Sequence, residues 1–346
     1  MDKVFVSRRI SAAGIEMLER AGVQVRVGQE REDEGVAPSV MLDGVRWCDV
    51  LIALLTEPVD RALLAANPAL RGVAICAVGF NNVDTSAATA LGIPVSNTPD
   101  VLTDTTADLT WALLLAAARR IPEAQQYMKA GRFKLWGPNL LLGADVSPGG
   151  SGRRKVLGVI GFGRIGAAVA KRALGFDMDV IAYDPQARPR IEASGIVRWA
   201  ALDDLLERSD FVTLHPLLTG ETYHLIDENA LRRMKPTAIL VNVSRGPVVD
   251  ETALVRALRE RWIAGAALDV YEHEPAMADG LRECENAVLV PHIASASADT
   301  RDKMATMAAE NALAHLRGVR APNAVNAEVY SSDAYRARVA RSPDKP

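Results

Sequence analysis

The chain has 346 residues, of which 49% are hydrophobic and 24% are charged, and its formal net charge is −3. A chain of this length buries about three quarters of its unfolded surface and forms roughly two domains. Its Lys and Arg residues are scattered and give no basic surplus, which argues against a nucleic-acid partner. No apolar run reaches the ~20 residues that cross a bilayer, and charges interrupt the N-terminal MDKVFVSRRI where a signal peptide would be apolar. We therefore expect a globular cytoplasmic protein without a membrane partner.

Cysteine usage supports a reducing compartment. The three cysteines, Cys48, Cys76 and Cys284, are widely spaced and match neither a zinc site nor a disulfide framework. We expect them to be buried and unpaired.

The first hundred residues alternate short apolar runs with helix-like stretches. The predicted strands are KVFV at 3–6, QVRV, VLIALL at 50–55, GVAICAVG and PVSN, and residues 11–20 are predicted to form a helix. This alternation indicates a parallel α/β sheet. The polar stretch TPDVLTDTTAD then leads into a long apolar helix, LTWALLLAAARRI, with Asp104 or Thr105 as its expected N-cap.

A second βα series follows a break. Residues 144–154, ADVSPGGSGRR, are rich in Gly, Ser and Pro and read as a turn or linker. The new series begins at KVLGVIGFGRIG and continues to about Pro291. Residues 328–346 have little apolar content and are expected to be a frayed tail.

The strongest local motif in this series is GxGxxG, formed by Gly161, Gly163 and Gly166 after the strand VLGVI. Such glycines allow a tight turn, a close approach to a pyrophosphate and close packing of a helix on a strand. The next strand, DVIAYD, ends in Asp184, whose carboxylate can accept hydrogen bonds from ribose hydroxyls and would repel a 2′-phosphate. The motif therefore predicts NAD(H) as cofactor. Arg188 and Arg190 lie just downstream and could soften that preference, but we interpret them as exposed loop arginines.

Polar side chains follow several later apolar runs, at the edge where open α/β sheets bind ligands. The residues nearest the ends of these runs, polar except for Val243, are Thr222, Asn242, Val243, Ser244, Arg245 and Asp269. Arg245, Glu274 and His292 each follow a predicted buried strand. Each has an ordinary alternative: a surface arginine, a solvated loop acid and a core histidine.

Together these three residues could reduce a 2-oxo acid. A guanidinium offers a planar fork for a carboxylate or carbonyl, the role expected for Arg245. A histidine can protonate a developing alkoxide near neutral pH, and a neighbouring carboxylate favours its charged form and orients its ring. His292 is the expected acid and Glu274 its partner. The remaining histidines show no metal-binding spacing, so no metal is expected.

The segments GFGRIG, SRGPVVDE, ALDVYEHEP and VPHIAS resemble, in order and spacing, the D-isomer-specific 2-hydroxyacid dehydrogenase family. AVGFNNVD, NTPDVLTDTTADL and LWGPNLLLG are similar to its glyoxylate/hydroxypyruvate reductase branch. The resemblance implies reduction of a small 2-oxo acid to the D-2-hydroxy acid, with Arg245, Glu274 and His292 as the catalytic trio.

The resemblance also implies further site residues. The amides of Val78 and Gly79 would hold the substrate carboxylate, with Leu54 and Ser295 nearby. Trp136 matches a tryptophan that enters the partner subunit's substrate pocket, so a homodimer paired around residues 105–140 is expected. The implied cofactor residues are Thr106, Arg164, Ile165, Asp184, Leu214, Thr222, Val243 and Asp269, in addition to the three glycines.

The fold implied by the resemblance is a Rossmann dinucleotide-binding domain inserted into a smaller flavodoxin-like α/β substrate domain. Residues 1–104 and 291–327 would form the substrate domain, 105–290 the NAD-binding domain and 328–346 a tail, with the catalytic cleft between the two lobes. The sequence departs from the family pattern at Leu217, which takes a customary proline position, and at Ala294, which replaces a common glycine.

Three alternative functions remain open. A phosphoglycerate dehydrogenase shares the trio, but this chain lacks an appended regulatory domain and carries the Trp136 segment. Formate dehydrogenases would have Gln in place of Glu274. The C-terminal-binding-protein corepressors use the same fold and trio to sense NADH, which keeps a binding protein among the alternatives.

Overall fold

A computed structural model describes residues 1–340. Its contacts divide into two compact units, one made of Met1–Leu102 with the chain from Ala296 onward, and the other of Thr103–Ser295. We refer to these as the first and second units. The boundaries expected from the sequence lie a few residues from this division. The difference at the second boundary puts His292 and Ser295 in the second unit, because a carboxylate of that unit holds the backbone that follows His292.

The helices and strands alternate along both units. The first unit begins with β1 (Lys3–Val6), α1 (Ala12–Arg20), β2 (Gln24–Val27), α2 (Pro38–Trp47), β3 (Val50–Ala53), α3 (Arg61–Ala65), β4 (Gly72–Ile75), α4 (Thr85–Ala90) and β5 (Val95–Ser96). The second unit contains α5 (Thr103–Ala118), α6 (Ile121–Lys129), β6 (Val156–Ile160), α7 (Arg164–Ala173), β7 (Asp179–Tyr183), α8 (Arg188–Ala193), β8 (Arg198–Trp199), α9 (Leu202–Arg208), β9 (Phe211–Leu214), α10 (Glu228–Arg233), β10 (Ile239–Asn242), α11 (Glu251–Arg259), β11 (Gly265–Leu268) and β12 (Ala287–Leu289). The first unit then resumes with α12 (Ala298–Leu316) and α13 (Asp333–Ala340).

The first unit is built on a five-stranded parallel sheet with strand order β2-β1-β3-β4-β5. This is the flavodoxin-like order, so the expected fold of this unit is confirmed. β3 and β4 are buried along their whole length, which explains why they read as unbroken apolar runs. Helix α12 covers one face of the sheet, where Met304, Ala308 and Ala312 pack in one cluster with Val50 and Ile52.

The second unit is built on a seven-stranded parallel sheet with strand order β12-β11-β10-β9-β6-β7-β8. β6, the first strand of the series, lies between β7 and β9, and the chain reverses its direction of travel across the sheet there. This is the doubly wound Rossmann arrangement, which binds ligands at the carboxyl ends of the strands beside the reversal. The expected dinucleotide-binding fold is therefore confirmed.

The long apolar helix begins earlier and ends earlier than expected. α5 starts at Thr103, so the N-cap predicted at Asp104 or Thr105 is wrong, and both residues lie in its first turn. Asp104 instead pairs with Arg172 of α7 at 2.9 Å. The helix ends at Ala118, and Arg120 adopts a left-handed backbone with φ of 52° before α6 begins.

The glycine-rich segment 144–154 lies inside the second unit and does not connect the two units. It contains a short 3₁₀ turn, Gly149–Ser151, and the Ala144 amide donates to the carbonyl of Ala118 at 2.7 Å. Val146 is buried. The segment is thus tied to the end of α5 before the chain enters β6.

The structure corrects the expectation of a frayed tail for residues 328–340. Residues 327–331 form a 3₁₀ turn with Val329 fully buried, and α13 follows. The Arg338 guanidinium donates to the carbonyls of Leu70 and Leu91 at 2.8–3.0 Å. The segment is held by side-chain to backbone hydrogen bonds, which a low apolar content does not reveal. Residues 341–346 lie outside the described part.

Within residues 1–340, no helix is both long enough and apolar enough to span a bilayer. Cys48, Cys76 and Cys284 are buried free thiols, as the sequence indicated.

Candidate active site

The glycine motif forms an open cradle at the amino end of α7. Gly161 has φ of +86°, and a side chain there would also meet the backbone nitrogen of Pro216 at 2.5 Å. A Cβ on Gly166 would lie 2.1 Å from the carbonyl oxygen of Gly161, so the helix can approach the strand only with glycine. By contrast, no atom lies within 4 Å of a Cβ built on Gly163, the N-cap of α7. This free space in front of a helix amino terminus fits a pyrophosphate.

Asp184 follows β7 and lies beside the cradle. Its Oδ2 accepts a hydrogen bond from the Phe162 amide at 2.9 Å, and its Oδ1 accepts from the amides of Gln186 and Ala187 at 3.0 and 3.1 Å. A carboxylate has about four acceptor positions, so Asp184 can still accept from the hydroxyls of a ribose. The contacts made by this residue therefore fit an NAD(H) adenosine end.

Arg188 and Arg190 lie on α8, which corrects their assignment to a loop, although both are exposed. Arg188 pairs with Glu192 at 2.8 Å and its guanidinium lies 4.3 Å from the Trp199 ring centroid. Arg190 donates to the carbonyl of Phe162, inside the glycine motif. Of the two, Arg190 is the one tied to the cradle.

The other cofactor residues expected in this unit lie along the same edge. Thr106 is buried in α5, and its hydroxyl has no hydrogen-bond partner among the described residues, as expected for a group that meets a ligand. Thr222 instead stabilises its own turn, donating to the Leu217 carbonyl at 2.6 Å. The remaining members are at strand ends or in the first turn of α7: Arg164, Ile165, Leu214 and Val243.

The structure brings His292 and Glu274 together. His292 Nδ1 lies 2.8 Å from Glu274 Oε2, and the two side chains are 26% and 28% exposed. The Tyr271 amide donates to Glu274 Oε1 at 3.0 Å. Burial would raise the pKa of Glu274, but the hydrogen bond and charge of His292, together with the Tyr271 amide and the charge of Arg245, outweigh burial and hold the pKa below its ordinary value. Glu274 is therefore a carboxylate that orients the ring through Nδ1 and leaves Nε2 at its tip for proton transfer.

Arg245 is positioned by the turn after β10. The Asn242 side chain donates to the Arg245 carbonyl at 3.0 Å, and Arg245 Nη1 donates to the Ser244 carbonyl at 2.7 Å. A Cβ on Gly246 would lie 1.8 Å from the carbonyl oxygen of Tyr271, so glycine lets this turn approach the loop that carries Glu274. Burial lowers the pKa of Arg245 and the charge of Glu274 opposes that effect. A guanidinium stays charged near neutral pH.

Asp269 directly follows β11 and is fully buried. Its two carboxylate oxygens accept from the amides of Ile293 and Ala294 at 2.6 and 2.9 Å. Burial raises the pKa of Asp269, while these two amides and the charge of His292 act in the opposite direction. The residue expected to contact the cofactor thus lies beneath the loop that carries His292.

The substrate residues expected in the first unit follow β3 and β4, which are neighbours in its sheet. The Leu54 amide donates to Glu57 at 2.8 Å, and the Leu54 carbonyl accepts from the Asn82 side chain at 2.9 Å. The amides of Val78 and Gly79 donate to no other described residue and so offer two donors to an anion.

Sequence reasoning missed the side chains that shape these loops: Glu57, Asn82 and Asn97 in the first unit, and Tyr271 in the second. Asn97 donates to the Val78 carbonyl at 2.7 Å, and Glu57 is buried although it is an acid. Their position just beyond apolar runs was the available signal, but the acceptors they reach are set by the fold.

Trp136 is 73% exposed and lies among other exposed apolar side chains. The large apolar residues exposed in this stretch of the second unit are Ile121, Met128, Phe133, Leu135, Trp136, Leu140 and Leu142. Ser295, the last residue of the unit, is half-buried and three residues beyond His292.

The second unit therefore combines a dinucleotide cradle with an imidazole–carboxylate pair and a guanidinium, all at the carboxyl ends of one parallel sheet. These groups can bind a carboxylate-bearing carbonyl compound and protonate its oxygen. They define a dinucleotide-dependent oxidoreductase.

Comparison with known proteins specifies the family. Residues 111–294 match the family model described as "D-isomer specific 2-hydroxyacid dehydrogenase, NAD binding domain". A glyoxylate reductase of Korarchaeum cryptofilum is 50% identical over 329 residues, which cover 94% of this chain and 96% of that protein. The chain belongs to the D-isomer-specific 2-hydroxyacid dehydrogenase family, and it is an NAD-dependent oxidoreductase.

Solved structures share its fold over nearly the full length. The TT0316 protein of Thermus thermophilus matches with a TM-score of 0.84 and 40% identity, covering 93% of this chain and 99% of that chain. An NADPH-dependent glyoxylate/hydroxypyruvate reductase from Sinorhizobium meliloti, solved with NADP and malonate, matches with a TM-score of 0.77 and 30% identity, covering 94% and 97%. This neighbour is NADPH-dependent, whereas the family model that the chain matches is described as an NAD binding domain.

Proposed function

We propose that the protein reduces glyoxylate and hydroxypyruvate with NADH, giving glycolate and D-glycerate. The observation that carries the proposal is the 2.8 Å contact between His292 Nδ1 and Glu274 Oε2, in the same unit as Arg245 and a dinucleotide cradle. The glyoxylate reductase named above, at 50% identity, supports glyoxylate as a substrate.

Each residue of the trio has a distinct task in this reaction. The reduced nicotinamide supplies a hydride to the carbonyl carbon when it is bound. His292 donates the proton from Nε2 to the carbonyl oxygen, and the substrate becomes an alcohol. Glu274 keeps the imidazole oriented through its contact with Nδ1. Arg245 offers a planar fork for the carboxylate or the carbonyl.

The remaining substrate residues would bind and enclose the small acid. The amides of Val78 and Gly79 have no protein acceptor in the described chain, which suits a carboxylate. Leu54 and Ser295 would line the same substrate. The proposed cofactor set is the glycine motif with Thr106, Arg164, Ile165, Asp184, Leu214, Thr222 and Val243.

The preference for NADH is assigned to Asp184. Its carboxylate would accept from the ribose hydroxyls and repel a 2′-phosphate, so kcat/KM should be higher with NADH than with NADPH. Asp184→Ala should narrow the difference. Equal values in the unmodified protein would contradict this assignment and point to Arg190, the arginine that contacts the cradle.

The proposed assembly is a homodimer. The exposed apolar stretch of residues 121–142 supports pairing there, and Trp136 would then complete the substrate pocket of the second copy. Sedimentation should show a dimer. Trp136→Ala should raise the KM for hydroxypyruvate without dissociating this dimer. An active monomer would remove Trp136 from the site.

The buried free thiols support a cytoplasmic location, which fractionation would test.

One assay tests the central proposal. NADH oxidation is followed at 340 nm with glyoxylate, hydroxypyruvate, 3-phosphohydroxypyruvate or no acceptor. We expect rapid oxidation with the first two and none without an acceptor. A strong preference for the phosphorylated acid would favour the phosphoglycerate dehydrogenase alternative. Tight NADH binding without turnover of any acceptor would favour the NADH-sensing protein.

A further inference from the structure

We propose that Asp269 is a positioning residue that holds the His292 imidazole against Glu274 by clamping the two peptide groups that follow His292. This inference rests on the proposed function, because it concerns the histidine that donates the proton there. It assigns Asp269 a task different from contact with the cofactor.

The backbone at His292 needs an external support. His292 has φ of +53°, in the left-handed region that costs a non-glycine residue of order 1 kcal/mol or more. A change of φ to the ordinary region would redirect the side chain away from Glu274. Since His292 lies outside every helix and strand of the structure, neighbouring contacts must maintain this conformation.

Asp269 supplies that support from the end of β11. Its Oδ1 accepts from the Ile293 amide at 2.6 Å and its Oδ2 from the Ala294 amide at 2.9 Å. The Asp269 amide donates to the Asn242 carbonyl at 2.9 Å, which fixes the aspartate on the sheet. A buried carboxylate that accepts from two successive amides is a strong, charge-assisted clamp.

The loop before His292 is held from the same strand end. The Val290 amide donates to the Leu268 carbonyl at 3.0 Å, and the Val290 carbonyl accepts from the Tyr271 hydroxyl at 2.9 Å. Tyr271 also donates its amide to Glu274 at 3.0 Å. The backbone near both members of the pair is thus held by residues at the end of β11, and Asp269 holds the His292 side.

The burial of Asp269 argues that its main partners are within the protein. The residue is fully buried, and both oxygens already accept from backbone amides. Replacing it with Asn would leave one oxygen and turn an NH₂ group toward an amide donor. One of the two peptide groups would then lose its acceptor, and a buried unpaired donor is unfavourable.

The test compares Asp269→Asn with Asp210→Asn. Asp210 is also a buried carboxylate of the second unit that accepts from a backbone amide, that of Val156 at 2.8 Å, but it precedes β9 at the opposite edge of the sheet. Asp269→Asn should lower kcat by about 10- to 100-fold, as loss of a residue that orients a reacting group does. The dissociation constant of NADH should change less than about threefold. Asp210→Asn should lower stability and leave kcat within about twofold.

A double-mutant cycle distinguishes positioning from a general structural effect. If Asp269 acts through the His292–Glu274 pair, Asp269→Asn should cause much less further loss of kcat in the Glu274→Gln background than in the unmodified protein. Multiplicative losses would overturn the proposal. A weakened NADH affinity with unchanged kcat would also overturn it and make Asp269 a cofactor contact.

A measurement on the unmodified protein needs neither catalysis nor a folded variant. Amide hydrogen exchange by NMR should show the Ile293 and Ala294 amides of the unmodified protein to be strongly protected. In a folded Asp269→Asn variant, the amide that loses its acceptor should exchange faster. Rapid exchange in the unmodified protein would overturn the clamp even if glyoxylate is reduced. Protection of both amides in a protein that reduces no 2-oxo acid would support the clamp while contradicting the proposed function.

Discussion

Two imidazole–carboxylate pairs lie in the second unit, and their contacts are almost equal in length. His292 Nδ1 is 2.8 Å from Glu274, and His224 Nε2 is 2.7 Å from Glu272. Both histidines have positive φ, 53° and 49°, and the two glutamates are separated by one residue. A short contact of this kind therefore does not by itself identify a proton donor.

The nitrogen that each ring uses separates the two pairs. His292 binds its carboxylate through Nδ1, so its tip nitrogen is left for a substrate. His224 commits its tip nitrogen to Glu272, and its ring stacks on Tyr223 with centroids 4.1 Å apart. Glu272 also accepts from the Glu251 amide at 3.3 Å. We interpret the His224 pair as a brace between loops and the His292 pair as the reacting pair.

The largest expected difference between the pairs is in turnover. His292→Asn keeps a donor near the Nδ1 position and removes the tip nitrogen, so kcat for glyoxylate should fall by about 10²- to 10⁴-fold. His224→Gln, which keeps a donor near Nε2, should leave kcat within about threefold. Steady-state assays with NADH titrations measure both. Equal losses would erase the functional distinction between the pairs.

Arg245 is the next difference, because its charge acts on Glu274. Arg245→Lys keeps the charge and removes the planar fork, so kcat/KM for glyoxylate should fall by about 10- to 100-fold. Arg188→Lys, on the exposed face of α8, serves as the matched control and should have no effect on kcat/KM. An unchanged kcat/KM in Arg245→Lys would show that the pair acts without the fork.

His315 contrasts with both pairs, because its ring has no carboxylate partner in the part of the chain that the structure describes. It is buried in α12, its Nε2 lies 2.9 Å from Ser96 Oγ, and burial lowers its pKa to about 4. The unfolded chain binds a proton near pH 6.5 while the folded one does not, so stability falls as the pH drops below 6.5. The loss should reach about 2 kcal/mol at pH 5.

His315→Gln should remove that dependence. Urea unfolding of both proteins at pH 7 and pH 5 measures the effect, and the variant should lose about 2 kcal/mol less than the unmodified protein over this interval. The same pH dependence in both would mean that His315 is protonated in the folded state.

The charge of Glu274 should appear in the pH profile. Its pKa lies below the ordinary value, so it remains a carboxylate through the neutral range. The contact with His292 is one cause of that lowered pKa, so Glu274→Gln should move the alkaline limb of kcat for reduction to lower pH. The acidic limb for oxidation of the hydroxy acid should move in the same direction. Glu272→Gln is the control, and an equal shift there would contradict the assignment.

The smallest expected effect is on stability at the His224 pair. Glu272→Gln weakens hydrogen bonds from His224 and the Glu251 amide, so the free energy of unfolding should fall by about 1 kcal/mol. Glu228→Gln disrupts the ion pairs of Glu228 with Arg232 and Arg256, in which all three side chains are at least one third exposed, and should change it by less. Urea unfolding at pH 7 measures both. Equal losses would show that the Glu272 brace contributes no more than a surface pair.

Much of this molecule could be predicted from local sequence. The strand KVFV coincides with β1, because a strand buried in a parallel sheet leaves an apolar run of matching length. QVRV coincides with the edge strand β2, where half-buried valines alternate with the exposed Gln24 and Arg26. Gly161, Gly163 and Gly166 follow β6 and open α7, because the turn and the close packing leave no room for side chains at two of these positions. These features depend on residues near one another in the chain.

Other features depended on partners far away in the chain. The contacts of Arg338 with the carbonyls of Leu70 and Leu91 order the C-terminal segment, although its composition resembled a tail. The start of α5 at Thr103 was equally hidden, since the polar residues around it fit several starting positions. Low apolar content predicts disorder only where no distant hydrogen bonds compensate.

The sequence by itself determined the parallel α/β class and the glycine motif, because apolar spacing and the glycine pattern encode them locally. The two-domain fold and the trio of Arg245, Glu274 and His292 were implied by the resemblance of its motifs to a known family. The sequence already indicated Glu274 as the partner of His292, whereas only the tertiary structure decided that Glu272, two residues earlier, pairs with His224. The tertiary structure also decided that Asp269 lies beneath the His292 loop. The physical reason is that hydrogen bonds between loops depend on the register of separate strands, which brings together groups 18 to 48 residues apart.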